Sequence, residues 1–313
     1  MSSPVVTIIV PGYDVAEYAA DALASLRTQT RTDWTAVLVD DASTDATGEI
    51  FAAAAASDPR FRVVTQPQRR GLGAARNVGL DLVETPLVGF LDADDILTPG
   101  ALAALTGTLG ASGSDFAVGA YVRLRPDSAG GYTAGTVQPW VAAATDPARI
   151  ATTIDEHPAA SGNIVAWSKV SRTGFWRSAG LRFPEGRLYE DQVVAQLMYT
   201  RARTFDVVPD VVVQWRHRAD GSSITQRTAR LEVLVDYLEA MRAGVAILDA
   251  AGHRDAVRER VRLIAAMDLP PLVETARTHP DDAYRRAVGS FARDLRALSP
   301  AVPDPVAAAA ERW

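Results

Sequence analysis

No cysteine occurs among the 313 residues, which excludes disulfides, thiolate metal sites and a cysteine nucleophile. A basic excess is missing too. The net charge of −6 argues against a nucleic-acid binder, although it leaves room for a local basic patch serving one diphosphate. No apolar run approaches the roughly 18 residues of a membrane helix. Met1-Ser2-Ser3-Pro4 carries no basic segment, and the apolar run after it, Val5 to Val10, is too short for a signal peptide and reads as a first strand. A cytoplasmic location is therefore expected, with peripheral attachment at the inner membrane face as the open variant. The phosphate loop Gly-x-x-x-x-Gly-Lys is absent. What remains is ordinary for a globular protein, with 48% hydrophobic and 22% charged residues. The length suits about two domains, or one with an appendage.

The first hundred residues alternate short apolar runs with helical patterns. Val5 to Val10 is β-branched and almost continuously apolar, as a strand covered on both faces is. Tyr18, Ala22, Leu23 and Leu26 then recur at helical spacing. Ala36 to Val39, Phe61 to Thr65 and Leu87 to Leu91 are further strands, separated by helices after Ser43-Thr44-Asp45 and over Ala74 to Leu82. This β-α-β order predicts a parallel sheet with helices on both faces. Between about Gly113 and Ala219 the pattern is less regular, with strand-like pieces at Phe116–Val122 and Val211–Trp215 and a helix around Val193 to Met198. Beyond Ser223 the chain turns helical, with Leu231, Leu234, Leu238, Met241 and Val245 on one face. Pro270-Pro271 predicts an interruption, and Pro300 to Trp313 reads as a loose tail.

Polar clusters follow each of the first four strands: Pro11-Gly12-Tyr13-Asp14, Asp40-Asp41, Gln66 to Gly73 with Arg69 and Arg70, and Asp92-Ala93-Asp94-Asp95. Open α/β sheets bind ligands outside the carboxyl ends of their strands, so these clusters predict one shared crevice. The close-set carboxylates of Asp92, Asp94 and Asp95 repel one another. A divalent cation with oxygen ligands, Mg²⁺ or Mn²⁺, is the simplest way to hold them, and it would bridge a diphosphate. An acidic turn capping the helix near Pro99 is the plain alternative. Asp40 or Asp41 suits a helix cap, and the spare carboxylate suits a base or ribose hydroxyl. Tyr13 is either core or a stacking partner for a nucleobase.

Gly71-Leu72-Gly73-Ala74-Ala75-Arg76 lacks the third glycine of a dinucleotide fingerprint and stands away from its strand, which disfavours a Rossmann dehydrogenase. Arg69, Arg70 and Arg76 suit either phosphate contact or a solvated turn. Glu190-Asp191 opens an apolar helix, either complementing its dipole or supplying a base for an acceptor hydroxyl. His217, between Arg216 and Arg218, is either a surface residue or a contact for metal or diphosphate.

Taken together, these stretches resemble family 2 glycosyltransferases. The resemblance rests on Val6 to Tyr13, Val39 to Asp45, Gly73 to Leu80 and Phe90 to Asp95, in matching order and spacing, with weaker matches at Tyr189-Glu190-Asp191 and Arg216 to Thr225. It implies a GT-A-type fold, a mostly parallel α/β sheet, over residues 1–222, divided into a nucleotide-sugar half (1–112) and an acceptor half (113–222). Residues 223–313 form a helical region outside the resemblance. The family implies that Pro11 and Tyr13 line the nucleobase pocket and that Asp40 or Asp41 accepts from the base. Arg76 and Ala93 belong to the same nucleotide-sugar site. Asp92 meets ribose or metal-bound water, Asp94 binds Mn²⁺ or Mg²⁺ directly with Asp95 in reserve, and His217 is the candidate third metal contact. Asp191 is the implied catalytic base, with Glu190 orienting it or the acceptor. Asp14 departs from the asparagine common in relatives. The implied reaction is an inverting, metal-dependent displacement of a nucleoside diphosphate, UDP being the family-typical choice, by an acceptor hydroxyl on a glycan, lipid-linked or small molecule.

Two other classes share the acidic motifs. A sugar-phosphate nucleotidyltransferase needs a glycine-rich, lysine-bearing triphosphate loop near the N-terminus, which is absent. A non-catalytic nucleotide-sugar-binding or scaffolding relative keeps donor binding without turnover. The C-terminal helices suit packing on the catalytic part, a homodimer interface or a membrane surface.

Overall fold

The computed structural model describes residues 3–298 and 303–313. The N-terminal half runs β1 (Val6–Gly12), α1 (Ala16–Arg27), β2 (Trp34–Asp40), α2 (Thr47–Ser57), β3 (Phe61–Thr65), α3 (Leu72–Asp81) and β4 (Leu87–Phe90). Next come β5 (Ile96–Leu97), α4 (Ala101–Ser112), β6 (Phe116–Pro126), β7 (Tyr132–Ala134), α5 (Pro139–Thr145) and β8 (Arg149–Thr152). The sheet is completed by β9 (Lys169–Arg172) and β10 (Phe205–Arg216), with α6 (Thr173–Ser178) and α7 (Glu190–Arg201) between them. Five helices follow: α8 (Leu231–Ala250), α9 (Arg254–Leu263), α10 (Leu269–Thr278), α11 (Asp282–Leu298) and α12 (Asp304–Arg312).

The strands form one sheet in the order β3-β2-β1-β4-β9-β6-β10-β5, with β7 on β6 and β8 on β10. Pairing is parallel among β1, β2, β3 and β4, and between β6 and β10. Strand β9 is antiparallel to both β4 and β6. It follows that β6 and β10 run in the same direction as β1 to β4, so their carboxyl ends open on the same edge. The mostly parallel sheet expected from sequence is present, and the single inserted antiparallel strand extends that edge by two more strands.

The sheet is almost wholly apolar where both faces are covered, as in β1 and β4, which are buried throughout; Thr7, the polar residue in β1, is hydrogen-bonded to Thr85. Gly79 of α3 is needed for close packing, because a Cβ there would lie 2.4 Å from Ile9 Cγ2. In the core Phe116 stacks on Phe205 and both meet Tyr199 edge to face, with ring centroids 5.1–5.4 Å apart, contacts that add about 0.5–1.5 kcal/mol each beyond buried area.

The C-terminal helices have an apolar core of their own, built from Leu234, Met241, Ile264, Tyr284, Phe291 and Val306 among others. Two expectations about this region need correction. Pro270-Pro271 does not interrupt it, since α9 passes through a π-helical turn at Ile264–Asp268 directly into α10. A proline has no N–H to donate, and widening the preceding turn absorbs the missing bonds. The tail is not loose from residue 303 onward. Helix α12 buries Val306, Ala309 and Ala310, whereas 300–302 lie outside the described residues. Among the described residues no helix is long and apolar enough to cross a membrane.

Candidate active site

The carboxyl edge of the sheet opens into a cavity of about 920 Å³. Pro11, Tyr13, Asp41 and Arg69 form its wall beyond β1, β2 and β3. The Arg69 guanidinium lies 3.9 Å from the centre of the Tyr13 ring, covering one face of that ring. Asp41 is fully engaged: Oδ1 accepts from Gln66 Nε2 (2.6 Å) and Arg70 N (2.8 Å), and Oδ2 accepts from Gly71 N (2.7 Å). Its carboxylate thus shapes the loop that enters α3. Asp40 faces away from the cavity lining, with Oδ1 accepting from Ser43 N at 3.0 Å, so it fastens the turn after β2. Asp14 does similar work, accepting from Thr44 N at 2.7 Å. Asp14 (φ 47°) and Ala42 (φ 59°) are both left-handed, as is Tyr189 (φ 59°) across the cavity, at a cost of about 1–3 kcal/mol each.

The acidic turn after β4 is neutralised by the protein itself. Asp92 Oδ1 accepts from Arg76 Nη2 at 2.6 Å, and Asp94 Oδ2 accepts from Arg218 at 2.8 Å. Asp95 is buried, its Oδ1 accepting from Arg216 N at 2.7 Å, and burial beside Asp94 and Asp92 pushes its pKa well up. The mutual repulsion read from sequence is therefore answered by arginines and a backbone N–H. Asp92 Oδ2 and Asp94 Oδ1 keep no protein donor among the described contacts. Both residues, with Ala93 between them, line the cavity. Two hard oxygen donors on one turn suit a Mg²⁺- or Mn²⁺-type ion that completes its shell with phosphate and water. His217 does not join them: it is exposed, outside the cavity lining, with Nδ1 3.2 Å from Gln226 Nε2. Among the described residues no group of three or more histidine, aspartate or glutamate side chains gathers as a metal cage.

Helix α3 docks the segment that carries the remaining acids. A Cβ on Gly73 would meet the Pro184 carbonyl oxygen at 2.2 Å, so only glycine permits that approach. Asn77 donates to Phe183 O (2.9 Å) and accepts from Phe183 N (3.0 Å). Arg76, fully buried, gives Nη1 to Glu190 and Nη2 to Asp92, which ties the start of α7 to the acidic turn. Its terminal nitrogens are thereby used within the protein. Burial pushes the Glu190 carboxyl up to about 7, with Arg76 pulling the other way.

Asp191, one residue further on, lines the cavity and forms no salt bridge with any described residue. Burial pushes its pKa up to about 6, opposed by Arg76 and assisted by Asp92. Lys169, the only lysine in the chain, is buried nearby and donates to Asn163 O, Asn163 Oδ1 and Val165 O at 2.6–2.9 Å. Burial brings it down to about 7, with Asp191 opposing.

Two walls of the cavity were not found from sequence. Tyr121 and Arg123, from the middle of β6 onward, and Trp215, near the carboxyl end of β10, form the first, joined by Trp140 and Trp167. Extending the strand-edge rule to β6 and β10 would have found them, had β9 been recognised as an antiparallel insertion. The second wall comes from the C-terminal helices, through Arg260, Asp268, Pro271 and Thr275. Arg260 donates to Gln192 Oε1 at 3.1 Å, Leu188 N donates to Asp236 Oδ2 at 3.0 Å, and the Tyr189 and Tyr237 rings lie 4.4 Å apart. Helices α8 and α9 thus hold the segment on either side of Glu190 and Asp191.

Comparison with known proteins bears on the first half of the chain and on the fold. The family described as Glycosyl transferase family 2 matches residues 7–142. Glycosyltransferase GlyA of Streptococcus pneumoniae is 28% identical over 267 residues, covering 85% of this chain and 35% of GlyA. The chain spans about a third of the length of the first curated relatives it matches. Among solved structures, S. aureus TarS 1-349 in complex with UDP-GlcNAc superposes with a TM-score of 0.75 at 21% identity, over 94% of this chain and 83% of that one. The mannosyltransferase PcManGT from Pyrobaculum calidifontis, in complex with GDP-Man and Mn²⁺, gives a TM-score of 0.55 at 18% identity, over 99% and 87%. At these identities the structural likeness speaks for the shared GT-A fold.

Proposed function

We propose that this chain, whose residues 7–142 match glycosyl transferase family 2, is a member of that family that moves a sugar from a UDP-linked donor to an acceptor hydroxyl with inversion at the anomeric carbon. The observation that carries this reading is Asp191. It is a carboxylate without an ion-pair partner among the described residues, sharing one cavity with the Tyr13–Arg69 pole and with the oxygens of Asp92 and Asp94 that accept from no described donor.

The nucleobase stacks on the open face of Tyr13, beside Pro11. Asp41 acts indirectly, by holding the Arg70-Gly71 turn. Asp92 and Asp94 would hold a Mn²⁺ or Mg²⁺ ion, which when bound neutralises the diphosphate as it leaves. Arg218 keeps Asp94 in place, and Arg227 lines the same cavity without an ion-pair partner among the described residues. Asp191 takes the proton of the acceptor hydroxyl as that oxygen bonds to the anomeric carbon. The anomeric carbon–oxygen bond breaks on the opposite face, and its electrons leave with the diphosphate. Glu190, held by Arg76, fixes the first turn of α7 and so the direction of Asp191.

UDP-GlcNAc is the first donor to try, because TarS is shown in complex with it. With Mn²⁺ and no added acceptor, slow transfer to water should release UDP, and proton NMR should show β-GlcNAc as the first sugar formed. A first-formed α anomer would contradict inversion. Absence of UDP or GDP release from UDP-GlcNAc, UDP-Glc and GDP-Man, with or without saccharide acceptors, would contradict turnover.

A further inference from the structure

Resting on that donor-site reading, we propose that the wall formed by Tyr121, Arg123, Trp140, Trp167 and Trp215 is an acceptor subsite for an acidic saccharide, one whose sugar carries a carboxylate or a phosphate. Strand register builds it. Tyr121 and Arg123 are two residues apart on β6 and therefore share a face, and Trp215 of β10 is the register partner of Arg123. In the sheet, β6 and β10 stand three and four strands from β1. At the usual strand spacing this is roughly 14–19 Å from the Tyr13 pole, too far for the same nucleoside to occupy both. The acidic turn after β4 lies between them, where the sugar to be transferred would sit.

The rings form a contiguous aromatic wall, with Tyr121 edge-on to Trp167 (80° between planes) and Trp167 tilted by 35° against Trp215. The Tyr121 and Trp167 centroids are 4.8 Å apart, and Trp167 and Trp215 are 6.3 Å apart. Flat rings in a cavity wall receive the C–H face of a pyranose as apolar surface. Beside these rings the Arg123 guanidinium lies 5.2 Å from the Trp215 ring centre and 5.9 Å from that of Trp140.

Arg123 is one of three arginines in the cavity lining, with Arg69 and Arg227, that have no carboxylate partner among the described residues. Arg76, Arg218 and Arg260 each have a carboxylate partner. Arg123 and Arg76 both keep a buried Nε without a hydrogen-bond partner, but Arg76 gives both terminal nitrogens to carboxylates, whereas those of Arg123 have no hydrogen-bond partner among the described residues. The terminal nitrogens are the ones a ligand in the cavity can reach, and a charged donor pair left without a protein acceptor there is open to an entering anion. A guanidinium fork matches a carboxylate or a phosphate oxygen pair, whereas a neutral hydroxyl satisfies one donor at most. The nearby acids do not fill the role. Asp268 is taken by Arg260 and by the Tyr237 hydroxyl, and Asp191 is the base of the reaction.

The test follows the tryptophan fluorescence of the full chain, saturated with UDP and Mn²⁺, during titration with glucuronic acid, glucose 6-phosphate and glucose. The acidic sugars should bind more than about tenfold more tightly than glucose. Arg123→Gln should bring them to the level of glucose, and Arg123→Lys should restore part of the preference, because it keeps the charge without the fork. UDP affinity should be the same in all three proteins, which also reports that the variants fold. Preference for glucuronic acid alone, or for glucose 6-phosphate alone, would identify carboxylate or phosphate as the recognised group. Equal affinities in the wild-type chain, a preference that survives in Arg123→Gln, or displacement of UDP by the acidic sugars would each overturn the proposal. So would UDP binding with no sugar binding at all. Failure to bind UDP would instead overturn the donor-site reading, and this proposal with it.

Discussion

Asp191→Asn is expected to lower turnover by about 10²–10⁴-fold while leaving the affinity for UDP unchanged. The amide matches the carboxylate in size but cannot take the acceptor's proton, and Asp191 makes no ion pair with any described residue whose loss would disturb the fold. The same assignment fixes a pH dependence. Burial raises the Asp191 pKa to about 6, and only the ionised form accepts a proton. Turnover at saturating donor should therefore rise with pH through about 6 and then level off, and Asp191→Asn should lack that rise. Both are read from initial rates of UDP release between pH 5 and 8. A variant with wild-type turnover would remove Asp191 from the role of base.

Arg76→Met should cost about 3–5 kcal/mol of folding stability, the range for removing one partner from a buried ion pair. The geometry places it there, since Arg76 and Glu190 are 1% and 2% exposed and Asp92 is 21% exposed. Without the guanidinium, Asp92 and Glu190 are left as two enclosed carboxylates with no counter-ion. Their folded pKa values then rise further above the unfolded ones, so stability is lost as pH rises and both are forced to ionise. The deficit relative to wild type should be largest near neutral pH and should shrink towards pH 5, measured by urea unfolding at several pH values. A variant as stable as wild type at pH 7 would show that the Glu190–Arg76–Asp92 bridge does not hold α7 to the acidic turn.

The sequence reading went furthest where one strand's burial and the residues after it are local properties. β1 to β4 and the clusters behind them follow from apolar runs and the parallel-edge rule, and Pro11, Tyr13, Asp41, Asp92, Asp94 and Asp191 do meet in one cavity. What stayed hidden depends on pairings distant in the chain. Asp40 and Asp41 are adjacent and alike in sequence, yet one fastens a turn after β2 and the other the loop into α3, and only the fold separates them. Arg76 reads as a phosphate contact because Glu190, more than a hundred positions away, is invisible as its partner. Trp140, Trp167 and Trp215 come from a helix, a loop and a strand, and no local periodicity links them. His217 is beside two arginines that reach Asp94, while its own ring turns to Gln226.

The central claim, a metal-assisted donor site on the turn after β4, is tested most directly by calorimetric titration with UDP in the presence and absence of Mn²⁺. Saturable binding with Mn²⁺ that weakens by more than about tenfold without it, and equally in Asp94→Ala with Mn²⁺ present, is the predicted result. Binding of the same affinity with and without Mn²⁺, or unaffected by Asp94→Ala, would contradict it.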